Sequence, residues 1–121
     1  MEDWQIDFEW LRVRHFVKDK LGYEQLPDMN AMLFLIGIQE LGYWPDDFTK
    51  EQKQDLMHIA VCRLLSNEGY FEFEGLDDEG WPHWKLVKPV EALTATTQEN
   101  LLKLQMIQYF SEYLIPQHEE N

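Results

Sequence analysis

His58 and Cys62 combine metal-binding and nucleophilic chemistry, and they lie four residues apart in a segment with helical periodicity. This spacing places both side chains on one face of a helix, where such a pair can contribute two ligands to a zinc ion. Zinc takes three or four protein ligands, so His15, His83 or a carboxylate would have to complete the site. Cys62 is surrounded by aliphatic residues, however, and a free cysteine there is usually a small core residue.

We therefore predict no catalytic residue, no cofactor and no metal site beyond these two candidates. A Cys–His nucleophile pair within one helix would lack a third group to orient it. The sequence also contains no glycine-rich phosphate loop, no serine nucleophile elbow and no HExxH metal motif. A small-ligand or metal-binding protein that uses His58 and Cys62 remains one alternative.

A cluster of acidic and aromatic residues is the stronger candidate for binding. Two glutamates alternate with phenylalanines, and three more acids and a tryptophan follow in the next turn. The candidate partner-binding residues are Glu72, Glu74, Asp77, Asp78, Glu79 and Trp81. Carboxylates steer a basic partner towards the surface, and aromatic rings can anchor it. The alternative is that the charges only discourage edge-to-edge aggregation of a hairpin.

The overall charge agrees with a basic partner. The 121 residues include 23 acidic and 10 basic ones, which gives a net charge of −13. Such a surface repels nucleic acid and anionic membranes, so we expect neither as a partner. The single cysteine and an acidic rather than basic start (Met1 to Trp4) give no sign of secretion and lead us to expect a cytoplasmic protein. Hydrophobic residues make up 45%, which predicts a folded chain, and we expect one domain over residues 1–116.

An uninterrupted apolar run from Ala31 to Ile38 predicts a central helix surrounded by protein. Asp28 is placed to cap its first turn, and Gly37 would allow another helix to approach closely. Gly-Tyr pairs follow this helix and two others, and they predict helix ends near residues 21, 41 and 68. Thr49 and Gln52 have the spacing of a capping box at the start of the third helix.

A β-hairpin and a last helix complete the predicted elements. Phe71 and Phe73 alternate with glutamates, and Trp84 and Leu86 should match them on one buried face. The last helix is predicted to open with a capping box from Thr96 to Glu99 and to stop at Pro116, with a loose tail over residues 117–121. Leu101, Leu104 and Ile107 lie outside its main apolar stripe. They either pack within the domain on a broad helix face or stay exposed and form a homodimer contact.

The sequence thus predicts a mainly helical α+β fold with about four helices and one antiparallel β-hairpin. Over roughly residues 28–88, the order of elements resembles the winged-helix architecture, in which a helix and a basic wing contact DNA. Here the corresponding wing is acidic, so the resemblance implies protein contact instead. We expect a small, acidic, non-catalytic interaction module, with a nucleic-acid mimic or inhibitor of a basic protein as an alternative.

Overall fold

The computed structural model describes residues 2–44, 47–90 and 94–113, which form four helices and one antiparallel two-stranded sheet. The elements are α1 (Asp3–Leu21), α2 (Met29–Leu41), α3 (Lys50–Ser66), β1 (Phe71–Leu76), β2 (Pro82–Leu86) and α4 (Ala95–Tyr113). The predicted α+β, mainly helical class is confirmed. The chain divides into two compact units, one with α1 and α4 and the other with α2, α3 and the hairpin. The single domain expected over residues 1–116 remains a prediction.

Local capping explains where the helices of the second unit begin. The Asp28 carboxylate accepts a hydrogen bond from the backbone N–H of Ala31 at 2.8 Å, as predicted. At the start of α3, Thr49 and Gln52 form the predicted capping box, each side chain accepting a hydrogen bond from the other's backbone N–H. The helix ends at Leu21, Leu41 and Ser66 lie within two residues of the predicted positions.

Gly37 brings α2 and α3 together in the second unit. A Cβ atom at this position would lie 2.7 Å from the carbonyl carbon of Leu56 and 2.9 Å from its Cβ. Leu41, Leu56 and Ile59 form a buried cluster between the two helices, with Phe34, Ile38, Phe48 and Trp81 packed against it. The close approach predicted at the glycine is therefore confirmed.

The hairpin has the predicted pairing but not the predicted burial. Phe71 pairs with Leu86 and Phe73 with Trp84, so these four residues share one face. Phe73 is 52% exposed and Leu86 50%, and the expectation of a buried face is therefore wrong for this part of it. The alternating pattern shows which side chains share a face, but whether that face is covered depends on the packing of the rest of the unit.

A β-bulge in β1 shifts the pairing register between the two strands of the hairpin. Phe73 pairs with Trp84 while Gly75 pairs with His83, so Glu74 is an extra residue on its strand. Leu76, three residues after Phe73, then pairs with Pro82 and returns to the apolar face.

In the first unit, α1 and α4 pack on each other. The capping box predicted from Thr96 to Glu99 is wrong: α4 begins at Ala95, and the Thr94 hydroxyl accepts a hydrogen bond from the backbone N–H of Thr97 at 3.1 Å. Thr94 offers the same three-residue spacing two residues earlier, where the chain enters the helix. Pro116 and the tail 117–121 lie outside the described residues. The proposed homodimer residues are all partly buried: Leu101, Leu104 and Ile107.

Candidate functional site

A groove of about 460 Å³ lies between α3 and the hairpin, within the second unit. The middle of α3 supplies one wall, and the turn and β2 supply the other. The lining consists of Gln52, Asp55, His58, Ile59, Cys62, Asp77, Glu79, Trp81, Pro82, His83 and Trp84. The two candidate sites predicted from the sequence therefore lie on facing walls of one groove: the His58–Cys62 pair and the acidic turn.

The groove is lined by acids without balancing lysine or arginine. Asp55 contributes a carboxylate from α3, and Asp77 and Glu79 contribute two from the turn, while the described lining contains neither Lys nor Arg. His83 donates a hydrogen bond from Nε2 to the Asp77 carboxylate at 3.0 Å. The surface of the groove therefore favours positively charged ligands.

The Asp77 carboxylate stabilises the turn of the hairpin as well as contributing a negative charge to the groove. Its Oδ1 accepts hydrogen bonds from the backbone N–H groups of Glu79 at 2.9 Å and Trp81 at 3.0 Å. Together with the backbone hydrogen bonds from the Asp77 N–H to the Trp81 carbonyl and from the Gly80 N–H to the Asp77 carbonyl, these bonds fix the turn between β1 and β2. The hydrogen bond from His83 and then that from Trp81 lower the pKa of Asp77 from its usual value of 3.8. The carboxylate is therefore charged throughout the neutral pH range.

The two tryptophans of the lining differ in their roles. Trp81 is partly buried and packs against the cluster of Leu41, Leu56 and Ile59, so it also supports the core of the unit. Trp84 is partly buried and contacts the exposed Phe73 ring at 5.2 Å between centroids. The indole Nε1 of Trp84 is buried and has no hydrogen-bond acceptor within the described part of the chain. A buried donor without an acceptor is costly to the folded state.

Trp84 also lines a second, smaller cavity of about 300 Å³. This cavity is lined by Glu40, Arg63, Phe73, Leu76, Pro82 and Trp84, and Arg63 and Glu40 form an ion pair of 3.5 Å at its edge. Its floor is the exposed apolar face of the hairpin. The hairpin thus offers an acidic groove and an apolar cavity on either side of one indole ring.

His58 and Cys62 contact each other as their helical spacing predicts. Cys62 Sγ lies 3.5 Å from His58 Nε2, and the His58 ring meets Phe71 edge-on at 6.3 Å between centroids. Burial raises the pKa of the Cys62 thiol to about 11. The thiol is therefore protonated near neutral pH, which suits a small core residue better than a nucleophile.

The described residues give the metal hypothesis no further ligands. Across residues 2–44, 47–90 and 94–113, no three His, Cys, Asp or Glu side chains are grouped so as to hold a metal ion. A zinc ion at His58 and Cys62 would also have to displace the thiol proton. In the same ranges, no helix has both the length and the apolar character needed to cross a bilayer.

The structure brings together only part of the predicted partner-binding set. Asp77, Glu79 and Trp81 line the groove, whereas Glu72, Glu74 and Asp78 are exposed outside its lining. Sequence reasoning missed Asp55, although it precedes His58 by three residues and Cys62 by seven, a spacing that places all three on one helix face.

Comparisons of this chain with protein families, with curated proteins and with solved structures found no match. The resemblance to winged helices is therefore an interpretation of element order alone. The groove, its charges and its aromatic residues are the features on which a function can be argued.

Proposed function

We propose that this protein is a non-catalytic, cytoplasmic interaction module that holds a basic segment of a partner protein in the acidic groove. The observation that carries the proposal is the lining itself: among the residues that the structure describes, it has three carboxylates beside two indole rings and neither lysine nor arginine. Carboxylates and tryptophan faces are the groups that recognise lysine and arginine side chains.

Charge and shape would contribute differently to such binding. The net charge of −13 would raise the rate of encounter with a basic partner, and this part of the interaction weakens as salt is added. The affinity would depend more on desolvated contacts in the groove, where the partly buried ring of Trp84 offers an aromatic face.

The apolar cavity beside the groove supports a more specific partner. Because Trp84 lines both cavities, a segment that places a lysine or arginine in the groove can place an apolar side chain against Phe73 and Leu76. We therefore expect a partner segment that combines basic and aliphatic residues, rather than a purely basic one.

Titration of the labelled protein with a short peptide of lysine, arginine and leucine, followed by NMR, tests the proposal. We expect the indole N–H signal of Trp84 to shift, and a peptide with glutamates in place of the basic residues to have no effect. Unchanged indole signals at millimolar basic peptide would contradict the proposal.

A charge-matched pair of variants locates the binding surface. Asp55→Asn with Glu79→Gln removes two carboxylates from the groove, and Glu72→Gln with Glu74→Gln removes two exposed ones outside it. We expect the first variant to weaken peptide binding about tenfold and the second to weaken it about twofold. Equal losses would show that only the overall charge matters.

A nucleic-acid mimic or inhibitor is the second proposal, because the hairpin carries further exposed carboxylates outside the groove, at Glu72, Glu74 and Asp78. A mimic would compete with duplex DNA for a basic cleft, and both variant pairs would then lose inhibition to a similar extent. The small-ligand or metal alternative at His58 and Cys62 predicts zinc binding that Cys62→Ala abolishes.

A further inference from the structure

The acidic groove follows one strand of the hairpin. Four consecutive residues at the start of β2 line it, from Trp81 to Trp84, and Asp77 and Glu79 of the turn join them, whereas β1 contributes nothing to the described lining. Because successive side chains of a strand point to opposite faces, a lining that includes all four follows an edge of the sheet rather than one face. In the described part of the chain the sheet has only two strands, so this is the outer edge of β2.

Two backbone hydrogen bonds at the ends of the ladder show which groups of β2 point outward. The Val87 N–H donates to the Tyr70 carbonyl at 2.9 Å, and the Asp77 N–H donates to the Trp81 carbonyl at 3.0 Å. Inward and outward backbone groups alternate along an antiparallel strand. Every second residue of β2 therefore directs its backbone groups away from β1: Pro82, Trp84 and Leu86. Among the described residues, no group outside the ladder forms a hydrogen bond with them.

Pro82 agrees with this arrangement. Proline has no backbone N–H, and at an outward position of an edge strand the ladder loses no hydrogen bond. The outward groups that lie within the groove lining are therefore one donor, the Trp84 N–H, and two acceptors, the carbonyls of Pro82 and Trp84. Such groups at a sheet edge can pair with the backbone of another chain.

We propose that the basic partner segment binds in an extended conformation and adds a third strand to the outer edge of β2. Such strand addition rests on the proposed function, since it specifies how the acidic groove holds the segment. Hydrogen bonds to the Trp84 N–H and to the carbonyls of Pro82 and Trp84 would hold the backbone of the segment. Neighbouring strands lie about 4.8 Å apart, so its side chains would reach both faces of β2.

The two faces of β2 differ, which predicts an alternating sequence in the partner. The buried Pro82 and the partly buried Trp84 lie on one face, and the exposed His83 lies on the other, hydrogen-bonded to the Asp77 carboxylate at 3.0 Å. Lys85 shares the face of His83 but lies outside the groove lining. We therefore expect apolar residues of the segment beside Trp84, alternating with lysine or arginine at the turn end of β2.

Amide hydrogen exchange of the full chain tests the pairing. The probe is a peptide of about six residues in which lysine and leucine alternate. With free peptide at about ten times its dissociation constant, exchange of the Trp84 backbone amide should slow about tenfold, because only the unbound protein exchanges. Phe73 is the matched control: it pairs with Trp84, so its N–H points outward from the opposite edge of the sheet, and its exchange rate should not change.

Single N-methyl groups along the peptide backbone test the same pairing from the ligand. Alternate N–H groups of a strand face one edge, so methylation at every second position should weaken binding about tenfold, and methylation at the intervening positions about twofold at most. Binding with an unprotected Trp84 amide, or without this alternation, would overturn the third strand and leave the proposed function intact. A peptide that does not bind at all would contradict both.

Discussion

The backbone of Leu56 occupies the space into which a side chain on Gly37 would project. A Cβ on the glycine would approach the Leu56 carbonyl carbon to 2.7 Å, which is closer than such atoms pack in proteins. Because the obstruction is mainly backbone, a change of side-chain rotamer cannot remove it. The distance between α2 and α3 therefore depends on this glycine.

We expect Gly37→Ala to destabilise the protein by roughly 1–3 kcal/mol, since the helices must separate to admit the methyl group. In an uncrowded helix the same change would stabilise it by up to about 1 kcal/mol. Urea unfolding followed by tryptophan fluorescence measures the difference. Gln39→Ala, at an exposed position two residues away, is the control, and a Gly37→Ala variant that is as stable as the parent would show that the helices are not in close contact.

The buried thiol of Cys62 predicts a loss of stability in alkali. Its pKa is raised from 9.0 to about 11 in the folded protein, so the free energy of unfolding is unaffected below pH 9 and falls as pH rises towards 11. The expected loss is roughly 2 kcal/mol by pH 11. Comparing the pH dependence of the free energy of unfolding in the parent and in Cys62→Ala separates this loss from other titrations. Identical pH profiles for the two proteins would contradict the prediction.

The turn held by Asp77 predicts different effects from two substitutions. Asp77→Asn keeps an oxygen that can accept from the Glu79 and Trp81 amides, whereas Asp77→Ala removes it. We expect hydrogen exchange of these amides to accelerate strongly in Asp77→Ala and slightly in Asp77→Asn. The Asp78 side chain takes no part in these hydrogen bonds. Asp78→Ala is therefore the control and should leave the exchange of both amides unchanged.

The same carboxylate predicts sensitivity of the turn to acid. Because its pKa is lowered on folding, its contribution to stability is complete above pH 3.8 and is lost as pH falls through the lower folded value. The protection of the Trp81 amide, meaning its exchange rate relative to that of an unstructured amide at the same pH, should therefore fall on acidification in the parent protein. In Asp77→Asn this dependence should disappear, and its persistence would assign the acid effect to another carboxylate.

Trp84→Phe keeps an aromatic ring at this position and removes the indole N–H group. The substitution removes a buried donor that has no acceptor among the described residues, which offsets the loss of ring area. We expect stability to change by less than about 1 kcal/mol while binding of the basic peptide weakens. Thermal unfolding and NMR titration of the same variant measure both, and unaltered binding would mean that the indole ring does not contribute to binding.

The sequence predicted the local features of the fold well because each depends on neighbouring residues. Asp28, Thr49 and Gln52 satisfy backbone groups within one helical turn, and their caps follow from spacing alone. The start of α4 was misplaced because Thr94 and Thr96 each offer a capping hydroxyl at a suitable spacing. Only the path of the chain into the helix distinguishes them.

The site was only partly predictable from the sequence, because tertiary packing decides which side chains are buried and which distant residues lie next to each other. Periodicity placed Phe73 and Leu86 on one face but could not show that α3 leaves half of each exposed. The charge of Asp77 was recognised while its hydrogen bonds to the turn were not, although an aspartate two residues before a turn amide is a known signal.

The bulge at Glu74 determines how the hairpin would respond to insertion and deletion. Removing this residue would pair Gly75 and Leu76 with the same partners in an unbroken ladder, and every apolar side chain would keep its face. Removing Glu72 instead would shift the residues before it by one position and turn Phe71 to the opposite face. Two deletions of the same amino acid, two positions apart in one strand, would therefore have opposite outcomes.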